Sequence, residues 1–198
     1  MIQQQADILR ALARPAAASS DFDLNPRFAG CVVPVRDAGV LVPLIERPSG
    51  VNLVLTMRAA HLDAHPGQIA FPGGKCDVGD VDIAATALRE AYEEIGLSPE
   101  LVCVLGHLPV HNTVTGFKVT PTIGWISEPW QVRANPGEVA EVFEVPLRHV
   151  LQLDNFYVQK RIWNGKNRAY YTVPYGPYYI WGATARILRG FAEQMEAL

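Results

Sequence analysis

Three glutamates follow an arginine in the run Arg89-Glu90-Ala91-Tyr92-Glu93-Glu94-Ile95-Gly96-Leu97. Residues three and four apart are neighbours on a helix surface, so a helix here gathers Glu90, Glu93 and Glu94 along one edge. Like charges at that spacing repel, which a purely structural helix would tend to avoid. A hard divalent cation, which takes oxygen ligands, removes the conflict. A solvated acidic face is the alternative, and an E-x-x-E-E pattern alone does not exclude it. The surroundings weigh against that alternative: Phe71-Pro72-Gly73-Gly74 leads toward the helix, Arg89 precedes the acids and Gly96 stops the helix.

Positioning these groups requires a helix with one buried side. Ala84, Ala87, Leu88, Ala91 and Ile95 recur at about 100° per residue, which predicts a helix from about Val81 to Ile95. Asp80 and Asp82 suit its N-terminal end electrostatically. The carboxylates then lie beside the buried stripe, where an edge can line a cleft. Upstream, Val32–Val35, Val40–Ile45 and Leu53–Arg58 read as strands, with turns at Asp37-Ala38-Gly39 and Pro48-Ser49-Gly50. Gly67 to Gly74 reads as a loop. Further strands are expected at about 101–110, 117–127, 153–163 and 168–174, with a short helix opened by Pro146. A terminal helix from about Trp181 to Met195 carries Ile187, Leu188, Phe191 and Met195 as its apolar positions. Strands interrupted by a few helices predict a mixed α/β layer fold. We expect a single domain over 1–198, with 1–25 as a short helix and linker extension.

At 198 residues the chain is long enough for one well-filled core and short for two. A formal net charge of −3 argues against nonspecific nucleic-acid binding, which draws on a basic surface. Small phosphorylated ligands stay open, because a bound metal reverses the local sign. Cys31, Cys76 and Cys103 show neither CxxC pairing nor a histidine at zinc-ligand spacing. No apolar run reaches membrane-span length, and the opening residues lack a signal-peptide core. The expectation is a cytoplasmic protein without nucleic-acid or membrane partners; a homodimer is left open.

Gly74, Asp80 and the run from Arg89 to Leu97 resemble the Nudix box, G-x5-E-x7-R-E-U-x-E-E-x-G-U, where U is aliphatic. The first acidic position is Asp80 instead of glutamate, and one extra residue separates it from Arg89. The R-E-U-x-E-E-x-G-U half matches throughout, with Ala91 in the aliphatic slot. Leu55-Thr56-Met57-Arg58-Ala59 and Gly67-Gln68-Ile69-Ala70-Phe71-Pro72-Gly73-Gly74 are similar to the motif of the coenzyme A diphosphatase branch. Asp77, Asp80 and Asp82 match that branch's acidic pattern, and Tyr179 to Ala185 is similar to its closing helix. The branch's second basic position holds Asp63 here, which lacks the planar donor fork of an arginine.

The resemblance implies a Nudix-type α/β/α sandwich, a mixed sheet between helices. It implies Mg²⁺ or Mn²⁺ held chiefly by Glu90 and Glu94. Glu93 would add a further ligand or accept a proton from the attacking water. Arg89 would hold a carboxylate in its productive rotamer. Gly73 and Gly74 let backbone approach a metal or phosphate closely, and the Gly74 carbonyl is a candidate extra ligand. Arg58, Gly73 and Lys75 are candidate substrate contacts. His61 and His65 read as surface or substrate-rim residues, Glu138 and Glu141 as solvated charges or a distant base. The stretch Tyr175 to Tyr179 reads as a cover for an adenine or a pantetheine arm, with Tyr178 and Trp181 in core packing. The implied reaction is hydrolysis of CoA or acyl-CoA to 3′,5′-ADP and a 4′-phosphopantetheine product. A Nudix enzyme acting on another nucleoside diphosphate derivative (ADP-ribose, NADH or a nucleoside triphosphate) is the alternative. A non-catalytic ligand-binding module is a third.

Overall fold

The computed structural model of the chain describes residues 2–26, 35–163 and 165–198. All but the last residue of the strand expected at Val32–Val35, and Cys31, lie outside them. The described elements run α1 (Ile2–Leu12), β1 (Ser19–Ser20), β2 (Arg36–Arg47), β3 (Gly50–Arg58), β4 (Ile69–Ala70), β5 (Gly73–Lys75) and α2 (Ile83–Ile95). Then follow β6 (Val102–His107), β7 (His111–Asn112), β8 (Phe117–Ile126), β9 (Val139–Pro146), α3 (Leu147–Val150), β10 (Tyr157–Trp163), β11 (Lys166–Thr172) and α4 (Gly182–Glu196).

Among the described residues, β1 to β9 form one mixed sheet around β2. β2 pairs in parallel with β8 along its length and antiparallel with β3 and β5. β9 joins the far side of β3, and β6 pairs with β8. Nearly every residue from Ala38 to Ile45 is buried, as expected of a strand covered on both faces. Its alternate residues serve separate cores. Ala38, Val42 and Leu44 pack with Ile187, Leu188 and Phe191 of α4, while Leu41 and Ile45 pack with Ala87, Ala91 and Ile95 of α2. Helices therefore cover both faces of a mixed sheet, the layer architecture expected from the sequence.

α2 lies unusually close to β2 because small residues meet there. A Cβ added at Gly39 would come within 2.6 Å of the Ile83 carbonyl oxygen. The helix begins at Ile83, two residues later than expected, because the Asp82 carboxylate accepts the Ala85 amide (2.7 Å) and sits at the cap in extended backbone. It ends at Gly96, whose φ of 68° is left-handed and whose amide donates to the Tyr92 carbonyl at 2.9 Å. The segment after β8 then returns to this end: the Arg133 amide donates to Ile95 O and the Asn135 amide to Glu94 O. That return places the start of β9 beside the helix edge carrying the glutamates.

The expected strand at 153–163 begins only at Tyr157, after a single tight turn at Leu153–Asn155. α1, Ile2–Leu12, lies within the 1–25 segment, and its Ile8 is fully buried. β9 forms by pairing antiparallel along β3, a neighbour distant in sequence.

Candidate active site

The site is assembled on α2 and the β5 strand that crosses β2. Register places Gly73 opposite Val40 and Gly74 opposite Gly39. A Cβ at Gly73 would meet Gly39 O and Val40 Cα at 2.6 Å, so only glycine fits between these strands. Gly74 is constrained from the other side: a Cβ there would lie 2.4 Å from Glu90 Oε1. The glycine pair thus lets backbone reach the acidic edge of α2. The Gly73 amide donates to Glu94 Oε2 at 3.2 Å.

The three glutamates occupy different environments. Glu94 is 4% exposed, buried against the sheet. Burial, reinforced by the charges of Glu90 and Glu138, pushes its carboxyl up to about 8, against the pull of the Gly73 amide and Arg58. The Glu90 side chain is 16% exposed, and its acidity is likewise weakened, chiefly by burial. Glu93 is half exposed at 50%. The edge is therefore neither wholly solvated nor wholly beside the buried stripe, for Glu94 has turned into the core.

Arg89 organises this edge without leaving a donor for a distant group. Its Nε and Nη2 donate to the two oxygens of Asp80 at 3.0 and 3.1 Å, a bidentate pair. Its Nη1 donates to Glu90 Oε1 at 3.0 Å and Glu93 Oε2 at 3.2 Å, and Nη2 also reaches the Lys75 carbonyl at 3.1 Å. The Asp80 carboxylate additionally accepts the Asp77 amide and the Thr86 hydroxyl. Arg89 and these donors hold the Asp80 carboxyl far below the usual carboxylate range. Asp80 was expected as a displaced box acid at the N-terminal end of the helix; nothing in its spacing reveals that it anchors the arginine from the loop before α2.

Glu138, read as a solvated charge or a distant base, lies near these glutamates. It is half-buried at the start of β9, accepts from Asn135 Nδ2 at 3.3 Å, and its charge raises both Glu90 and Glu94. Glu141 lies apart, accepting the Tyr178 hydroxyl at 2.6 Å. Tyr178 stacks on Phe143 with ring centroids 3.6 Å apart, in keeping with a packing role. His61 and His65 do not share a site: His61 Nε2 bonds the Gly137 carbonyl at 3.2 Å, whereas His65 lines a cavity.

That cavity, about 400 Å³, opens along the segment leading to Gly73. Arg58, Gln68, Ile69 and Phe71 form one wall, and Arg161, Arg168, Tyr170 and Trp181 another. Trp181 was expected in the core but is only partly buried and faces this cavity. Lys75 is exposed at the end of β5, and neither it nor Asp63 is among the cavity's lining residues.

The donors suit a hard divalent cation. Carboxylate oxygens of Glu90, Glu94 and Glu138 share a poorly solvated region in which their mutual repulsion opposes ionisation, a cost that a bound Mg²⁺ or Mn²⁺ would offset. Glycine at position 74 keeps the backbone against Glu90 where any side chain would intrude. Among the described residues no three His, Cys, Asp or Glu side chains already converge on one point, since Arg89 holds Glu90 and Glu93 while the Gly73 amide holds Glu94.

This fold and this glycine-backed acidic helix coincide with a known family. The family model described as the NUDIX domain matches residues 35–171, and the chain belongs to the Nudix hydrolase family. It is 42% identical over 175 residues to a protein of Enterobacter sp. (strain 638) called uncharacterized Nudix hydrolase NudL, covering 87% of this chain and 89% of that one. A protein of the same name from Salmonella dublin is 43% identical over 174 residues, with the same coverage. Among solved structures, the MutT protein from Methanosarcina mazei superposes with a TM-score of 0.52 at 19% identity, covering 85% of this chain and 97% of that one. At that identity the likeness concerns the fold alone.

Proposed function

We propose that the chain is a divalent-metal-dependent diphosphatase that cleaves CoA or acyl-CoA to 3′,5′-ADP and (acyl-)4′-phosphopantetheine. The observation that carries the reading is the poorly solvated, mutually repelling pair Glu90 and Glu94, backed by Gly73-Gly74 and adjoining an arginine-bearing cavity. In this reading Glu90, Glu94 and the Gly74 carbonyl hold Mg²⁺ or Mn²⁺, with Glu93 as a further ligand or as acceptor of the water's proton. The bound cation supplies charge neutralisation at the diphosphate and a more acidic water. Arg89, saturated by Asp80, Glu90 and Glu93, acts by positioning carboxylates. Arg58 in the cavity wall contacts a phosphate, and the exposed Lys75 and the Gly73 backbone complete the substrate contacts.

The choice of CoA rests on the segment from Leu55 to Gly74, which builds the wall of the cavity and delivers the glycines. Asp63 at the branch's second basic position is exposed and outside the cavity lining, so its charge is not set against a ligand there. Residues 2–26 belong to the same domain in this reading, since Ile8 is buried with α4 in one core. Incubation of purified protein and Mg²⁺ or Mn²⁺ with CoA, acetyl-CoA, ADP-ribose, NADH and deoxynucleoside triphosphates tests the proposal. Release of 3′,5′-ADP from CoA is expected. Turnover confined to the other compounds would transfer the assignment to them.

A further inference from the structure

The β10–β11 hairpin sets two arginines directly opposite each other. Arg161 and Arg168 are cross-strand partners in its register, so their side chains share one face, and both line the cavity that holds Arg58. Like charges directly opposite across two strands are destabilising. Part of that cost is offset where the Arg161 guanidinium lies over the Trp181 ring, 4.8 Å from its centroid. The sole carboxylate among the described lining residues is Asp21, which already bonds His111 Nε2 at 3.1 Å and the Val114 amide at 2.9 Å. Guanidinium groups thus line the cavity at two places, at Arg58 and at the hairpin pair. Aromatic surface from Phe71, Phe117, Tyr170 and Trp181 completes the lining.

Resting on the diphosphatase reading above, we infer that the Arg161–Arg168 pair is a recognition site for a second phosphate, a monoester separate from the diphosphate that is cleaved. Two guanidinium forks on one hairpin face suit a dianionic phosphate, which each engages through parallel N–H donors. The aromatic lining suits the flat base that such a nucleotide carries between its phosphates. The hairpin therefore discriminates bisphosphorylated nucleotides from those with the diphosphate alone. It supplies from a distant part of the chain the positive charge missing at Asp63.

The test compares binding of 3′,5′-ADP and 5′-AMP to the full-length protein by calorimetry at fixed ionic strength. Wild type is expected to prefer 3′,5′-ADP by roughly ten- to hundredfold, the range of one or two charge-assisted hydrogen bonds. Arg161→Ala and Arg168→Ala should each erase most of that preference. Arg161→Glu places opposite charges across the hairpin, so it should melt no lower than wild type while losing the preference. Equal affinities in wild type, or a preference that survives Arg161→Glu in a folded protein, would overturn the inference. In turnover, the Arg161→Ala ratio of kcat/KM for CoA over dephospho-CoA should fall by roughly tenfold or more; an unaltered ratio would count against the pair. Should wild type cleave no CoA yet keep the 3′,5′-ADP preference, the phosphate site stands and the substrate proposal falls.

Discussion

In the proposed reading, Glu94 is the residue on which the chemistry and the stability of the protein meet. Its carboxyl, pushed up to about 8 by burial, lies above the ordinary unfolded value, so its contribution to folding is fully present below pH 4.5 and lost as pH rises through 8. Metal-free wild type should therefore lose stability between pH 5 and 9 relative to Glu94→Gln, by on the order of 4 kcal/mol at the alkaline end. Thermal melts in EDTA across that range check it; parallel curves would contradict it. The same substitution should cut metal-dependent turnover at least about 10²-fold. Gly74→Ala separates the two roles. Its Cβ would collide with the Glu90 carboxylate at 2.4 Å, so turnover should drop at least roughly tenfold, while the melting temperature moves little. Normal activity in Gly74→Ala would show that Glu90 is free to move away. Asp80, held far below the usual range by Arg89, contributes stability above the unfolded carboxylate value and loses it only in strong acid.

At the scale of elements, α2 must sit where its acidic edge meets β5, and its fit on β2 fixes that. Gly39→Ala would put a Cβ 2.6 Å from Ile83 O. The helix must then shift, at a cost of about 1–3 kcal/mol, measurable by urea unfolding; an unchanged midpoint would contradict the close packing. The helix was legible in the sequence because its apolar stripe, its carboxylates and Gly96 are contiguous and local. Its acidic edge was legible as a set, but not the burial of Glu94, which depends on β5 crossing overhead. Which of the two readings of Glu138 applied was hidden for the same reason: it comes near α2 through the return of 133–135 to the end of that helix. The Arg161–Arg168 pairing was invisible because strand register follows from the turn and the face that is buried, and neither is written in the spacing of two arginines.

At the scale of the whole molecule, a mixed sheet between helices presents the end of β3 and β4 on one side of a cavity and the C-terminal hairpin and start of α4 on another. The layer architecture could be anticipated from strands alternating with helices, whereas the sheet order could not, since β2 joins β8 and β3 joins β9 across long stretches of chain. No helix among the described residues is long and apolar enough to cross a membrane. A cation drawn into the acidic site should stabilise the whole fold by linkage, so Mg²⁺ at a hundredfold over its Kd should add about 2.7 kcal/mol. The increment should disappear in Glu94→Gln; an equal gain in both proteins would place the binding elsewhere.

The most direct measurement of the central claim is product analysis after incubating the protein with CoA and Mg²⁺ or Mn²⁺, beside an EDTA control and Glu94→Gln. The account predicts 3′,5′-ADP and 4′-phosphopantetheine from wild type with metal, and neither in the two controls. Binding of CoA without any cleavage, with either metal, would contradict it.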